Sequence, residues 1–64
     1  MPNRNIKAER VRFGYNQEYV ASKLNISKTT YNLKENGKRE FTENEMRILS
    51  RLFGKTLDEL FFNH

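Results

Sequence analysis

Residues 17–39, QEYVASKLNISKTTYNLKENGKR, decide the architecture of this 64-residue chain, because they spell two short helices, a tight turn between them and a basic loop behind. Asn16 precedes the stretch, and its side-chain oxygen can accept a bond from an orphan N–H of a helix's first turn, where Gln17 and Glu18 stand. Val20, Ala21 and Leu24 recur at helical spacing and give that helix one apolar face. Asn25 is, after glycine, among the residues that most readily enter the left-handed region, so the helix is predicted to stop there. Ile26 then tucks inward beneath the turn. Ser27 caps a second helix from Lys28 to Glu35, and Asn36-Gly37 ends it. Ala21 supplies a small side chain where two sharply crossing backbones approach; a bulkier one would force them apart.

These positions resemble the helix-turn-helix of the Cro/C1-type, XRE-like family of phage repressors and Cro proteins. Gln17 sits at the family's first motif position, Ala21 at the small contact position, Asn25 where glycine is usual, Ile26 after the turn, and Tyr31 at the buried position of the second helix. Glu35-Asn36-Gly37-Lys38-Arg39 is similar to the family's acidic-x-Gly-basic ending. Counterparts of the flanking helices extend the likeness from Ile6 to Leu60, including Leu57-Asp58-Glu59-Leu60. The resemblance implies an all-α, compact five-helix, lambda-repressor-like fold. It also implies a sequence-specific double-stranded DNA-binding transcriptional regulator, a phage-type or prophage-type repressor acting as a homodimer on a palindromic operator. The family pairs an arginine on the first helix with the glutamate before Asn-Gly, which here is Arg10 with Glu35. Two departures stand out. Lys34 occupies a place usually given to an apolar core residue, and Tyr31 is larger than the usual Ile or Val. They predict a second helix slightly rotated or lifted, with Leu33 sliding inward to replace the apolar group missing at 34.

The remaining chain supports one small domain over residues 6–62, with residues 1–5 as an N-terminal arm. Asn5 is expected to cap a first helix from Ile6 to Phe13, which Gly14 breaks. Arg10 shares a face with Ile6 and lies along the core edge. Thr42 and Glu45 have capping-box spacing before a helix that Gly54 ends, with Met46, Leu49, Ser50 and Phe53 inward. Thr56 and Glu59 repeat the spacing for a short last helix bearing Leu57 and Leu60. Ile48 with Leu52, and Phe61 with Phe62, remain once this core is filled, and are the candidate dimer interface. They could equally close a small core, since exposed apolar groups are common.

The charge is uneven. Residues 1–39 hold nine Lys or Arg (4, 7, 10, 12, 23, 28, 34, 38, 39) against three Glu (9, 18, 35). Residues 40–64 hold three (47, 51, 55) against five acids (40, 43, 45, 58, 59). The half with the motif is therefore the one that would attract a polyanion. There is no Cys, so disulfides and thiolate metal sites are excluded. No apolar run approaches the ~20 residues of a membrane span, and Met1 to Ile6 lacks the hydrophobic centre of a secretion signal. The expected setting is the cytoplasm, associated with the nucleoid, with no cofactor, metal, membrane or small-molecule ligand. Enzymatic chemistry finds no cast: the single His is His64, and the single Asp, Asp58, has a structural place in a capped helix.

In a duplex-reading pose the second helix enters the major groove N-terminus first and presents Lys28, Thr29, Asn32 and Leu33 to base edges. Lys28 suits guanine O6 and N7, Asn32 suits adenine N6 and N7, and Thr29 or Leu33 suits a thymine methyl. Gln17 would bond a phosphate or brace the reading helix. Ser27, Thr30, Asn36, Lys38 and Arg39, with backbone N–H groups near Asn36-Gly37, would contact phosphates. The competing reading is a protein-interaction module of the same fold, an antitoxin, anti-repressor or inhibitor without sequence-specific DNA binding.

Overall fold

The computed structural model describes residues 4–62, with side chains from Asn5 onward. Among those residues the chain is all helical: α1 (Arg4–Arg12), α2 (Gln17–Lys23), α3 (Lys28–Glu35), α4 (Glu43–Phe53) and a closing wide helical turn, α5 (Asp58–Phe62). Their common core is Ile6, Val20, Ala21, Leu24, Tyr31, Phe41, Leu49, Phe53 and Leu60. Each large apolar side chain taken out of water there contributes about 1.5–3 kcal/mol against the entropy of ordering the chain.

Local chemistry sets the boundaries. Asn16 accepts from the Tyr19 N–H at 2.7 Å and starts α2. At its other end Asn25, with φ of 60°, sends its N–H to the Ser22 carbonyl while Ile26 N–H reaches the Ala21 carbonyl. That crossed pair of bonds is a Schellman exit, which satisfies orphan carbonyls and turns the chain sharply. Ser27 then caps α3 through the Thr30 N–H at 3.1 Å. Gly37, φ 78°, repeats the exit at the end of α3, with its own N–H on Lys34 and the Lys38 N–H on Leu33. Thr42 and Glu45 form the reciprocal capping box of α4, at 2.9 and 3.1 Å. Thr56 and Glu59 exchange the same two bonds ahead of α5.

Three details differ from the sequence reading. Helix α1 begins at Arg4, so Asn5 lies within its first turn and is not a cap; its Nδ2 donates to the Glu59 carbonyl at 2.8 Å and ties α1 to α5. A cap stands ahead of the first helical residue, whereas Asn5 follows Arg4 inside the helix and its amide reaches a distant carbonyl. Arg4 and Asn5 thus belong to α1, and residues 1–3 of the expected arm lie outside the described residues. Second, Leu33 does not replace an apolar group at 34. Lys34 is itself buried, with Nζ 2.5 Å from Glu45 Oε1, and Leu33 is only half-buried, apart from the core cluster. The carboxylate of α4 neutralises the ammonium, so Lys34 keeps the inward register and Leu33 stays at the edge. Third, Ile48, Leu52 and Phe61 already pack in part against the core, and of the four residues assigned to a dimer surface only Phe62, 61% exposed, stands clear of it. Phe61 meets Phe41 edge-on with ring centres 5.8 Å apart.

Candidate nucleic-acid interface

Helices α2 and α3 pack together across the turn at residues 24–27, and Ala21, 1% exposed, is buried in the core. Tyr31 faces inward from the middle of α3, and this fixes which residues face out: Lys28, Thr29 and Asn32 are exposed along the N-terminal half of the helix. Leu33 borders that surface. Lys38 and Arg39 extend from the loop behind α3 and are exposed.

Beneath this face lies a buried polar cluster centred on Glu35. Arg10 donates to it twice, Nε to Oε2 at 2.8 Å and Nη2 to Oε1 at 3.1 Å. The Tyr31 hydroxyl donates to Oε2 at 2.6 Å, and Gln17 Nε2 donates to Oε1 at 3.2 Å. Burial alone would push the Glu35 carboxyl up, but the bonds from Arg10, Tyr31 and Gln17 outweigh it and hold it below the usual carboxylate range. The Tyr31 hydroxyl is pushed up, by burial first and then by the Glu35 carboxylate. Bonding to Glu35 raises the Arg10 guanidinium further. Arg10 also donates to the Tyr15 carbonyl at 3.0 Å, so the cluster joins α1, the loop before α2, and α3. Glu45 is likewise low: burial works upward, and the bonds from Lys34 and the Thr42 N–H prevail.

Several residues expected at phosphates have defined internal partners. Gln17 braces α3, one end of its amide on Glu35 and its Oε1 accepting from Asn32 Nδ2 at 3.3 Å. Ser27 directs its hydroxyl proton to Thr30 Oγ1 at 2.9 Å while it caps the helix. The N–H groups of Asn36, Gly37 and Lys38 all bond carbonyls of α3, at 3.0, 3.1 and 2.8 Å, which takes the loop backbone out of the expected phosphate clamp. The Schellman exit that stops the helix consumes those donors. Asn36 offers its side chain to Asn32 Oδ1 at 3.2 Å. The side chains of Lys28, Lys38 and Arg39 are exposed, while Thr30 is half-buried and its hydroxyl accepts from Ser27.

Two contacts were absent from the sequence reading. Glu45 is the partner that lets Lys34 enter the core; its signal was a lysine on an apolar face with a capping-box glutamate in the following helix. Asn36 braces Asn32, and the i, i+4 spacing was the available hint. Exposed apolar groups also appear at Val11, Phe13 and Tyr19, where Arg12 and Lys23 lie over the Phe13 and Tyr19 rings at 4.7 and 5.1 Å. Among the described residues no helix is long and apolar enough to cross a membrane.

Compared with known proteins, residues 6–60 match the family model described as helix-turn-helix. No curated protein matches the chain, and no solved structure does.

Proposed function

We propose that this chain, which belongs to the Cro/C1-type helix-turn-helix family, is a sequence-specific repressor that binds a palindromic operator as a homodimer. Family membership makes it a DNA-binding regulator. The finer reading is supported by one observation above all: Lys28, Thr29 and Asn32, the side chains expected to read bases, are exposed on the N-terminal half of α3 and are followed by the exposed cations Lys38 and Arg39. In this reading α3 lies in the major groove, Leu33 packs at its edge, and Thr30, Lys38 and Arg39 meet phosphates. Gln17, Ser27 and Asn36 serve the site mainly from behind, as braces and cap. The second copy docks around Phe62 and the uncovered edges of Ile48, Leu52 and Phe61, placing two reading helices about 34–36 Å apart.

Selection of bound duplexes from a random pool tests the reading. A two-fold consensus is expected, with Asn32→Ala or Lys28→Ala erasing preference at one position per half-site at a cost of about 1–3 kcal/mol. A recovered pool without consensus would favour the protein-interaction module.

A further inference from the structure

Asn32 belongs to a directed chain of hydrogen bonds, and the direction has one source. Glu35 accepts from Gln17 Nε2 at 3.2 Å, Gln17 Oε1 accepts from Asn32 Nδ2 at 3.3 Å, and Asn32 Oδ1 accepts from Asn36 Nδ2 at 3.2 Å. An ionised carboxylate can only accept, so Gln17 must turn its NH2 toward Glu35 and its oxygen away. Asn32 must then offer its own NH2 to that oxygen. Its carbonyl is thereby turned to the opposite flank, where Asn36 donates. Arg10 and Tyr31 keep Glu35 anionic and fixed, at 2.8 and 2.6 Å, so Gln17 cannot flip without breaking a bond beside a buried charge, and a flip of Asn32 would turn oxygen to oxygen against Gln17 and donor to donor against Asn36.

A primary amide has two N–H donors and two acceptor lone pairs. The flanking residues take one of each and leave one donor beside one acceptor, in a set order, on the exposed edge of Asn32. In the major groove adenine offers an N6 donor beside an N7 acceptor, whereas guanine offers two acceptors. An amide free to rotate by half a turn could serve an adenine on either strand; a locked one serves the adenine on one strand. We infer that the buried Glu35 sets, through Gln17 and Asn36, the direction in which Asn32 reads adenine, so that this position of the half-site distinguishes A·T from T·A. Gln17 and Asn36 are positioning residues for a base contact that they do not themselves make. The inference rests on the DNA-reading proposal above.

The experiment measures competition between duplexes carrying A·T, T·A, G·C and C·G at the position whose preference Asn32→Ala erases. The full chain is compared with its Gln17→Met and Asn36→Ala variants, with thermal melting alongside. The first variant keeps side-chain length without polarity; the second leaves every bond to Glu35 in place. The wild type is expected to favour A·T over T·A by roughly tenfold, within the range of a good bidentate contact. Both variants should bring that ratio close to one while preferences elsewhere in the site persist. If both keep the wild-type ratio, or lose affinity equally at every position, the relay has no part in reading and the inference fails alone. If the wild type selects no consensus, the DNA-reading proposal falls and takes this one with it. In the free protein, the Asn32 side-chain amide should also show slowed hydrogen exchange that Gln17→Met removes, and fast exchange in the wild type would overturn the lock directly.

Discussion

Lys34 holds its inward position because Glu45 meets its ammonium at 2.5 Å and is itself held by the Thr42 N–H. Removing one partner strands a charge in the interior, and removing both does not. Lys34→Ala is therefore expected to cost about 3 kcal/mol in urea unfolding. Lys34→Leu combined with Glu45→Gln, which keeps the capping box, should be neutral or stabilising. Glu35 and Glu45 also set the acid limit. Both carboxyls lie lower in the folded chain than their ordinary 4.5, so the folded state binds fewer protons. Their stabilisation is complete above that value and lost as pH falls through the lower folded values. At the alkaline end, the raised Tyr31 contributes stability that is complete below 10.0 and fades above it. Melting temperature against pH should show both flanks, and Glu45→Gln should flatten the acid one. At this scale the Arg10–Glu35 contact was legible only through family resemblance. The Lys34–Glu45 pair left only a hint, a lysine on an apolar face ahead of a capping-box glutamate, because nothing local in the sequence shows which carboxylate crosses over to a buried lysine.

At the scale of elements, punctuation carried most of the information. Asn16, Ser27, Thr42 and Thr56 each cap the helix that follows, and Asn25 and Gly37 turn the chain out of α2 and α3. Caps and left-handed exits depend on a few adjacent residues, which is why helix order and the bounds of α2 and α3 could be read from sequence. The start of α1 could not, because Asn5 answers a carbonyl of Glu59, far away in the chain. The turn is also where a small change has a defined effect. Asn25→Ala places a Cβ-bearing residue with no compensating side-chain bond at φ 60°, and should cost about 1 kcal/mol in thermal melting without altering base preference. A changed consensus for that variant would mean that the turn also aims α3.

For the whole molecule, fewer cations are free to meet a polyanion than a count of residues implies. Of the basic residues in the first half, Arg10, Arg12 and Lys34 are paired with Glu35, Glu9 and Glu45. Lys28, Lys38 and Arg39 are exposed cations of α3 and of the loop behind it. In filter binding across a salt series, Lys38→Ala and Arg39→Ala should each reduce the slope of log affinity against log salt by ~0.9, with base preference intact. Unaltered slopes would remove both residues from the phosphate contacts. Sequence could place the basic loop, but not the loss of its backbone donors to the exit from α3.

The bond from Asn5 to the Glu59 carbonyl closes the body into a near-ring: the opening of α1 and the final helical turn are held together although 54 positions separate them. Connectivity is thus partly independent of shape. A circular permutant, joined through a short linker and cut between the exposed Arg39 and Glu40, should refold to the same helical content.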